Sequence, residues 1–161
     1  MKQKTLILIK PDGLQRGIVG EIISRFEKVG LKIVGAKMIS IGCDFAKKHY
    51  HDIEERHGPK ILDGLINYIT SAPIFAVVLE GVNAIEKVRK MVGKTEPFSA
   101  DPGTIRGDYA HMNYSRADQA GIAIMNLIHA SANEQDAEHE INLWFSDSEI
   151  WDYETVHEKF M

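Results

Sequence analysis

The chain has 161 residues, 44% of them hydrophobic and 26% charged, with a formal net charge of −4. That composition fits one well-buried globular domain over residues 1–161. It argues against general nucleic-acid binding, which draws on a Lys/Arg-rich surface. The one cysteine, Cys43, excludes an intrachain disulfide, in keeping with a reducing compartment. Cys43 reads as a small filler near a strand end. The first apolar run is five residues long and is broken by Lys10. It is too short for a signal peptide or a membrane span, so a cytoplasmic protein is expected.

"TLILI" (Thr5–Ile9) is branched and apolar with no polar face, the pattern of a buried central strand. Lys10-Pro11-Asp12-Gly13 stops it, and Pro-Asp-Gly reads as a turn. Lys10 therefore stands at the carboxyl end of a buried strand, facing a cleft. Ile18, Ile22, Phe26 and Val29 then line one face of a helix that ends near Gly30. Leu31–Ile41 reads as a long strand. Asp44 is expected to cap the next helix, whose stripe is Phe45, His49 and Ile53 with Ala46 and Tyr50 beside it. "RHGPK" (Arg56–Lys60) breaks that helix. Leu62, Leu65, Ile66 and Ile69 give a second, so the two form an αα-hairpin read as a lid.

Ile74–Glu80 is a second fully apolar strand. Asn83 with Glu86 reads as a capping box, and Ile85, Val88 and Val92 carry that helix to Gly93. No period holds from Lys94 to about Ser115, and a loop of that length usually has a job. Ser115–Met125 is expected to add a helical turn or two. "NLIHAS" reads as a short strand. Asn133 starts a helix with Ala137, Ile141 and Trp144 on one face. The aromatic tail is expected to pack on the body or on another subunit. Two β-α-β runs with doubly buried strands imply an α+β fold: a ferredoxin-like, four-stranded antiparallel sheet of split-βαβ type.

Polar groups gather at element ends: Lys10, Tyr50, Arg89, Thr95, Arg106, Asn126 and His129. Lysine, two arginines and a threonine are donors suited to a polyphosphate. Neither a GxxxxGK[ST] loop nor a GxGxxG fingerprint is present, so a phosphate cradle has to be built from side chains. Alone, His129 reads as a core histidine, Arg89 as a solvated helix residue and Tyr50 as half-buried core. Glu140, on the following helix, could fix one imidazole nitrogen of His129 and leave the other free to attack. Taken alone it is a helix-surface charge. His49 and His51, at i and i+2, point to different helix faces, which disfavours a metal pair.

Together these motifs resemble the nucleoside diphosphate kinases. The likeness rests on "IKPDG" with "QRGIVGEIISRFE", "KKHY", "PIFAVVLEG", "PGTIRGD", "NLIHAS" and "EINLWF", in that order along the chain. The resemblance implies transfer of the γ-phosphate of a nucleoside triphosphate such as ATP to a nucleoside diphosphate, by a ping-pong route through a phosphohistidine. It makes His129 the nucleophile, Glu140 its orienting carboxylate and Ser131 the hydroxyl beside them. It makes Lys10, Tyr50, Arg89, Thr95, Arg106 and Asn126 the phosphate and ribose contacts, with Ile61 and Leu65 as apolar contacts. It implies Mg²⁺ carried by the nucleotide phosphates rather than by protein side chains. It also implies a homo-oligomer (dimer, tetramer or hexamer) packed partly through the loop with Pro97 and Pro102.

Three departures stand out. Ile61-Leu62 replaces the family's phenylalanine pair, one of which stacks on the base, so altered base discrimination is expected. The segment between Arg106 and Asn126 is longer than in the family. The family's His-Gly-Ser-Asp reads His129-Ala130-Ser131-Ala132, without the aspartate. The retained histidine and glutamate favour an enzyme over a nucleotide-binding module on the same fold; the charge disfavours a nucleic-acid role.

Overall fold

A computed structural model describes residues 1–160. Four antiparallel strands form one sheet: β1 (Lys2–Ile9), β2 (Lys32–Ile39), β3 (Ile74–Val82) and β4 (Ile128–Ala130), in the order β2-β3-β1-β4. This is the ferredoxin-like α+β arrangement expected from the sequence.

The run "TLILI" has no polar face because both faces of β1 are covered. Leu6 and Leu8 pack with Ala46, Leu62, Ile66 and Trp144. Those residues come from α3 (Cys43–His49), α5 (Pro59–Ile69) and α9 (Glu134–Trp144). Ile7 and Ile9 point the other way, to Ile22, Phe26 and Val88. Those come from α2 (Val19–Lys28) and α6 (Ala84–Val92). Alternation along a strand sorts the two sets. It also sorts β4, where Ile128 and Ala130 join the second core and His129 turns toward α9 and α3.

Several local expectations are corrected. Pro11-Asp12-Gly13 is not a free turn but opens α1 (Pro11–Gln15), with Pro11 where its missing N–H costs nothing. Asp44 does not cap; it lies in the first turn of α3, behind Gly42. Asn83 makes no side-chain cap and takes a left-handed conformation, φ 50°. Cys43 is exposed at the start of α3 rather than filling a strand end. The expected two-helix hairpin is three helices, because α4 (Ile53–His57) interrupts it. Gly58, at φ 83°, makes the corner before α5.

The aperiodic stretch holds a 3₁₀ turn (Pro97–Ser99), α7 (Ile105–Tyr109) and α8 (Tyr114–Ala120). Asn133 caps α9 by accepting from the Asp136 N–H at 2.9 Å, as expected. The tail runs along the β2 edge: the Trp151 N–H donates to Val34 and the Tyr153 hydroxyl to Ile33. Trp144 and Phe145 at its start are buried on the body, as expected, while Trp151, Tyr153 and Phe160 stay exposed. Among the described residues no helix is long and apolar enough to cross a membrane.

Candidate active site

The strand ends of β1 and β4 meet at one edge of the sheet. Leu8 pairs with His129 and Ile9 with Ile128, and the Lys10 N–H donates to the Leu127 carbonyl at 2.8 Å. That register puts Lys10 and His129 within one local region, as their places at strand ends suggest.

His129 is partly buried, and its Nε2 lies 2.7 Å from Glu140 Oε1. The other carboxylate oxygen accepts from the Ser131 hydroxyl at 2.6 Å. Ser131 is fully buried, and its Oγ also accepts the Leu6 N–H. Sheet, serine, carboxylate and imidazole thus form one hydrogen-bonded series, and each group limits the freedom of the next. Nδ1 of His129 has no protein partner among the described residues.

The second cluster is cationic. Lys10 Nζ donates to Asn126 Oδ1 at 2.9 Å, and Asn126 Nδ2 donates to the Thr95 carbonyl at 2.9 Å. Arg106 spends three N–H groups on backbone carbonyls: Asn126, Gly93 and Ile128. A guanidinium has five N–H donors, so Arg106 braces the loop and keeps donors in reserve. Among the described residues no carboxylate lies within ion-pair distance of Lys10 or Arg106. Burial and the nearby Arg106 charge hold the Lys10 ammonium down to about 7. Burial and the Arg89 charge hold Arg106 down to about 10. The Asp12 charge acts on both from beyond ion-pair distance and is outweighed, so the cluster keeps a surplus of positive charge.

Asp12, at the start of α1, ties the two clusters together. Its Oδ1 accepts the Tyr68 hydroxyl at 2.5 Å and its Oδ2 accepts the Leu127 N–H at 3.1 Å. Leu127 is held at φ 68°, a conformation a leucine rarely adopts. The Tyr68 ring also lies 5.2 Å from Lys10 Nζ. His49 stands against His129, ring centroids 4.7 Å apart, and its Nδ1 accepts from Trp144 Nε1 at 3.3 Å. Burial, with His129 and Lys10 nearby, keeps His49 neutral.

Not every candidate makes a contact here. Arg89 is exposed on α6 and acts on the cluster through its charge near Arg106. Thr95 contributes its carbonyl. Tyr50 is buried beside His49, with its hydroxyl unpaired. Ile61 and Leu65 lie on α5 with Tyr68, and Ile61 is 47% exposed. Ala132 is exposed, so the missing aspartate leaves no buried gap. Sequence reasoning missed Asp12, His49 and Tyr68. Asp12 was hidden in turn chemistry, and nothing in the order of residues pairs it with Tyr68.

The family model described as nucleoside diphosphate kinase matches residues 3–150. The nucleoside diphosphate kinase of Borreliella burgdorferi is 51% identical over 153 residues, covering 94% of this chain and 92% of that one. That of Pyrococcus furiosus is 52% identical over 151 residues, covering 94% and 88%. Among solved structures, a transition-state mimic of the Borrelia burgdorferi enzyme with bound vanadate and ADP superposes with a TM-score of 0.95. It is 50% identical and covers 98% of this chain and 95% of that one. The Halobacterium salinarum enzyme in complex with CDP gives 0.86 at 39% identity, covering 99% and 98%. With fold and sequence in agreement over nearly the whole length, the chain belongs to the nucleoside diphosphate kinase family and is a phosphotransferase of that activity.

Proposed function

We propose that His129 accepts the γ-phosphoryl group on Nδ1 and passes it to a second nucleotide. The observation that carries this reading is the His129 Nε2–Glu140 hydrogen bond. A carboxylate acceptor there favours the tautomer with the ring proton on Nε2, which leaves the Nδ1 lone pair free. Attack by that lone pair forms the N–P bond and breaks the bond from γ-phosphorus to the bridging oxygen. The nucleoside diphosphate leaves with that electron pair. The ring gains positive charge, which Glu140 offsets through the retained Nε2–H, and Ser131 keeps Glu140 in place. A different diphosphate then takes the phosphoryl group by the reverse step, which gives ping-pong kinetics.

The remaining assignments follow the donors. Lys10, Arg106, Asn126, Arg89 and Thr95 are assigned to the phosphates and ribose, with Tyr50 beside them. Charge stabilisation and positioning are the main demands of phosphoryl transfer. Ile61 and Leu65 are assigned to the base. The substrates are ATP and other nucleoside di- and triphosphates, supported by the ADP and CDP complexes of the relatives. Both oxygens of Asp12 and of Glu140 are already engaged. That donor set suits Mg²⁺ held by the nucleotide's phosphates, where it neutralises phosphate charge. We further assign the chain to the cytoplasm, as one domain over 1–161 that assembles into a homo-oligomer.

The test is incubation with γ-labelled ATP. The expected product is an acid-labile phosphoprotein that His129→Ala does not form, with exchange down by at least about 10³-fold. Labelling and transfer by His129→Ala would refute the assignment.

A further inference from the structure

We propose that Asp12 is a positioning residue, with Tyr68 as its brace: its carboxylate pins the strained Leu127 peptide and thereby sets where Asn126 and His129 stand. The inference rests on the proposed role of His129 and adds a residue to that reading.

Leu127 is fully buried at φ 68°. A non-glycine residue in that region costs about 1–3 kcal/mol and persists only where neighbours over-determine it. Here both faces of its backbone are claimed. Its carbonyl accepts the Lys10 N–H at 2.8 Å and its N–H donates to Asp12 Oδ2 at 3.1 Å. Gly13 completes the fit, since a Cβ there would lie 3.2 Å from the Leu127 carbonyl oxygen.

The pinned residue sits between two functional ones. Asn126 precedes it and holds Lys10 Nζ. Ile128 and His129 follow it, already paired with Ile9 and Leu8. If Leu127 relaxed to an ordinary conformation, the peptides on either side would rotate. Asn126 would lose its aim at Lys10 and His129 would move against Glu140. A displacement of about 1 Å is enough to cost on the order of 10²-fold in rate.

Tyr68 gives the carboxylate its own anchor. The phenol is buried, and burial with the Asp12 charge pushes its ionisation up, so it stays a proton donor. It comes from α5, the helix that carries Ile61 and Leu65. The helix assigned to the base and the residue that leads into the nucleophile's strand therefore meet at one carboxylate.

A charge effect separates this role from packing. Lys10 faces Arg106 from α7, Asp12 from α1, Tyr68 from α5 and His49 from α3. Asp12 is the carboxylate among them and raises the Lys10 ionisation against burial and Arg106. Asp12→Asn can keep its carbonyl on the Leu127 N–H, while its amide meets the Tyr68 oxygen with the donor reversed. It removes the charge and the acceptor of the phenol proton.

The test compares Asp12→Ala, Asp12→Asn and Tyr68→Phe with the unmodified enzyme. It measures nucleotide exchange and His129 phosphorylation by phosphoramidate, a donor without a base that releases ammonia as the N–P bond forms. Asp12→Ala is expected to lower kcat and phosphoramidate labelling together by about 10²-fold, with KM within about threefold. Asp12→Asn is expected to recover most of that loss and to move the alkaline limb of the pH profile to lower pH. Tyr68→Phe is expected to lose about tenfold. Equal labelling rates in all four proteins would overturn the proposal, as would an Asp12→Asn pH profile identical to the unmodified one. If Asp12→Ala does not fold, the other two variants decide by the same criteria. Absence of His129 labelling in the unmodified enzyme would instead overturn the reading of His129.

Discussion

Two polar clusters in this molecule use lysine in opposite ways. At the far end of β1, Lys32 is buried and lies 2.9 Å from Glu80 and 3.0 Å from Glu158, and Lys2 reaches the same two carboxylates. At the near end, Lys10 is equally buried, but its partner is the neutral oxygen of Asn126. Burial works against the charge of both. Hydrogen bonds to Glu80 and Glu158 outweigh it at Lys32 and raise that ammonium, whereas Lys10 falls to about 7. The first cluster is electrically complete and fastens the tail to the sheet. The second has only Asp12 nearby, its oxygens spent on Tyr68 and the Leu127 N–H, so it keeps a surplus of positive charge suited to a polyphosphate. A buried cation that keeps no carboxylate partner is better evidence of a binding site than the same residue in a salt bridge.

The sharpest way to break this contrast is to remove each lysine. Lys10→Gln is expected to lower kcat/KM by about 10²–10³-fold while the thermal midpoint holds or rises, because an uncompensated buried cation is gone. Lys32→Gln is expected to do the reverse. It should leave kcat/KM within about twofold and cost about 2 kcal/mol in a denaturant titration. An Lys32 variant that loses activity at full stability would show that the two clusters are not separate in role.

Proton linkage sharpens the same point. The Lys10 ionisation is lower in the folded chain than in the unfolded one. The unfolded state therefore binds more protons between about pH 7 and pH 10.5, and this group's contribution to stability rises with pH across that window. Nucleotide phosphates should restore the ammonium. Binding of a nucleoside diphosphate at pH 8 is expected to take up a substantial fraction of a proton per site, read by calorimetry in buffers of different ionisation enthalpy. No uptake would mean that Lys10 is already charged in the free enzyme.

The smallest effect belongs to α5. Ile61 offers a half-exposed aliphatic face where the resemblance implies an aromatic. Ile61→Phe is expected to change KM across the bases by about two- to tenfold, the worth of a stacking contact, and to leave phosphoramidate labelling unchanged.

The pieces that were legible in the sequence share a cause. "TLILI" and "IFAVVLE" announce doubly covered strands because apolar residues occupy both faces of the pleat, and the sheet order follows from the βαβ units around them. Lys10, Asn126 and His129 were legible as chemistry at strand ends. Asp12 and Tyr68 were not, because their meeting depends on α5 folding back over the start of α1, and separation in the chain carries no trace of that. Leu127 was equally hidden: its left-handed backbone is imposed by tertiary hydrogen bonds, and a leucine gives no local warning of it. The left-handed backbone of Asn83, where a capping box was expected, is the opposite case, since asparagine adopts that conformation readily.

The central claim is that Nδ1 of His129 is the acceptor, since Glu140 occupies Nε2. The direct measurement is a ¹⁵N–³¹P coupling experiment on the phosphorylated enzyme with ¹⁵N-labelled histidine. The expected result is one phosphoryl group on His129, with its phosphorus coupled to Nδ1. Coupling to Nε2, or phosphate on any other residue, would contradict the account.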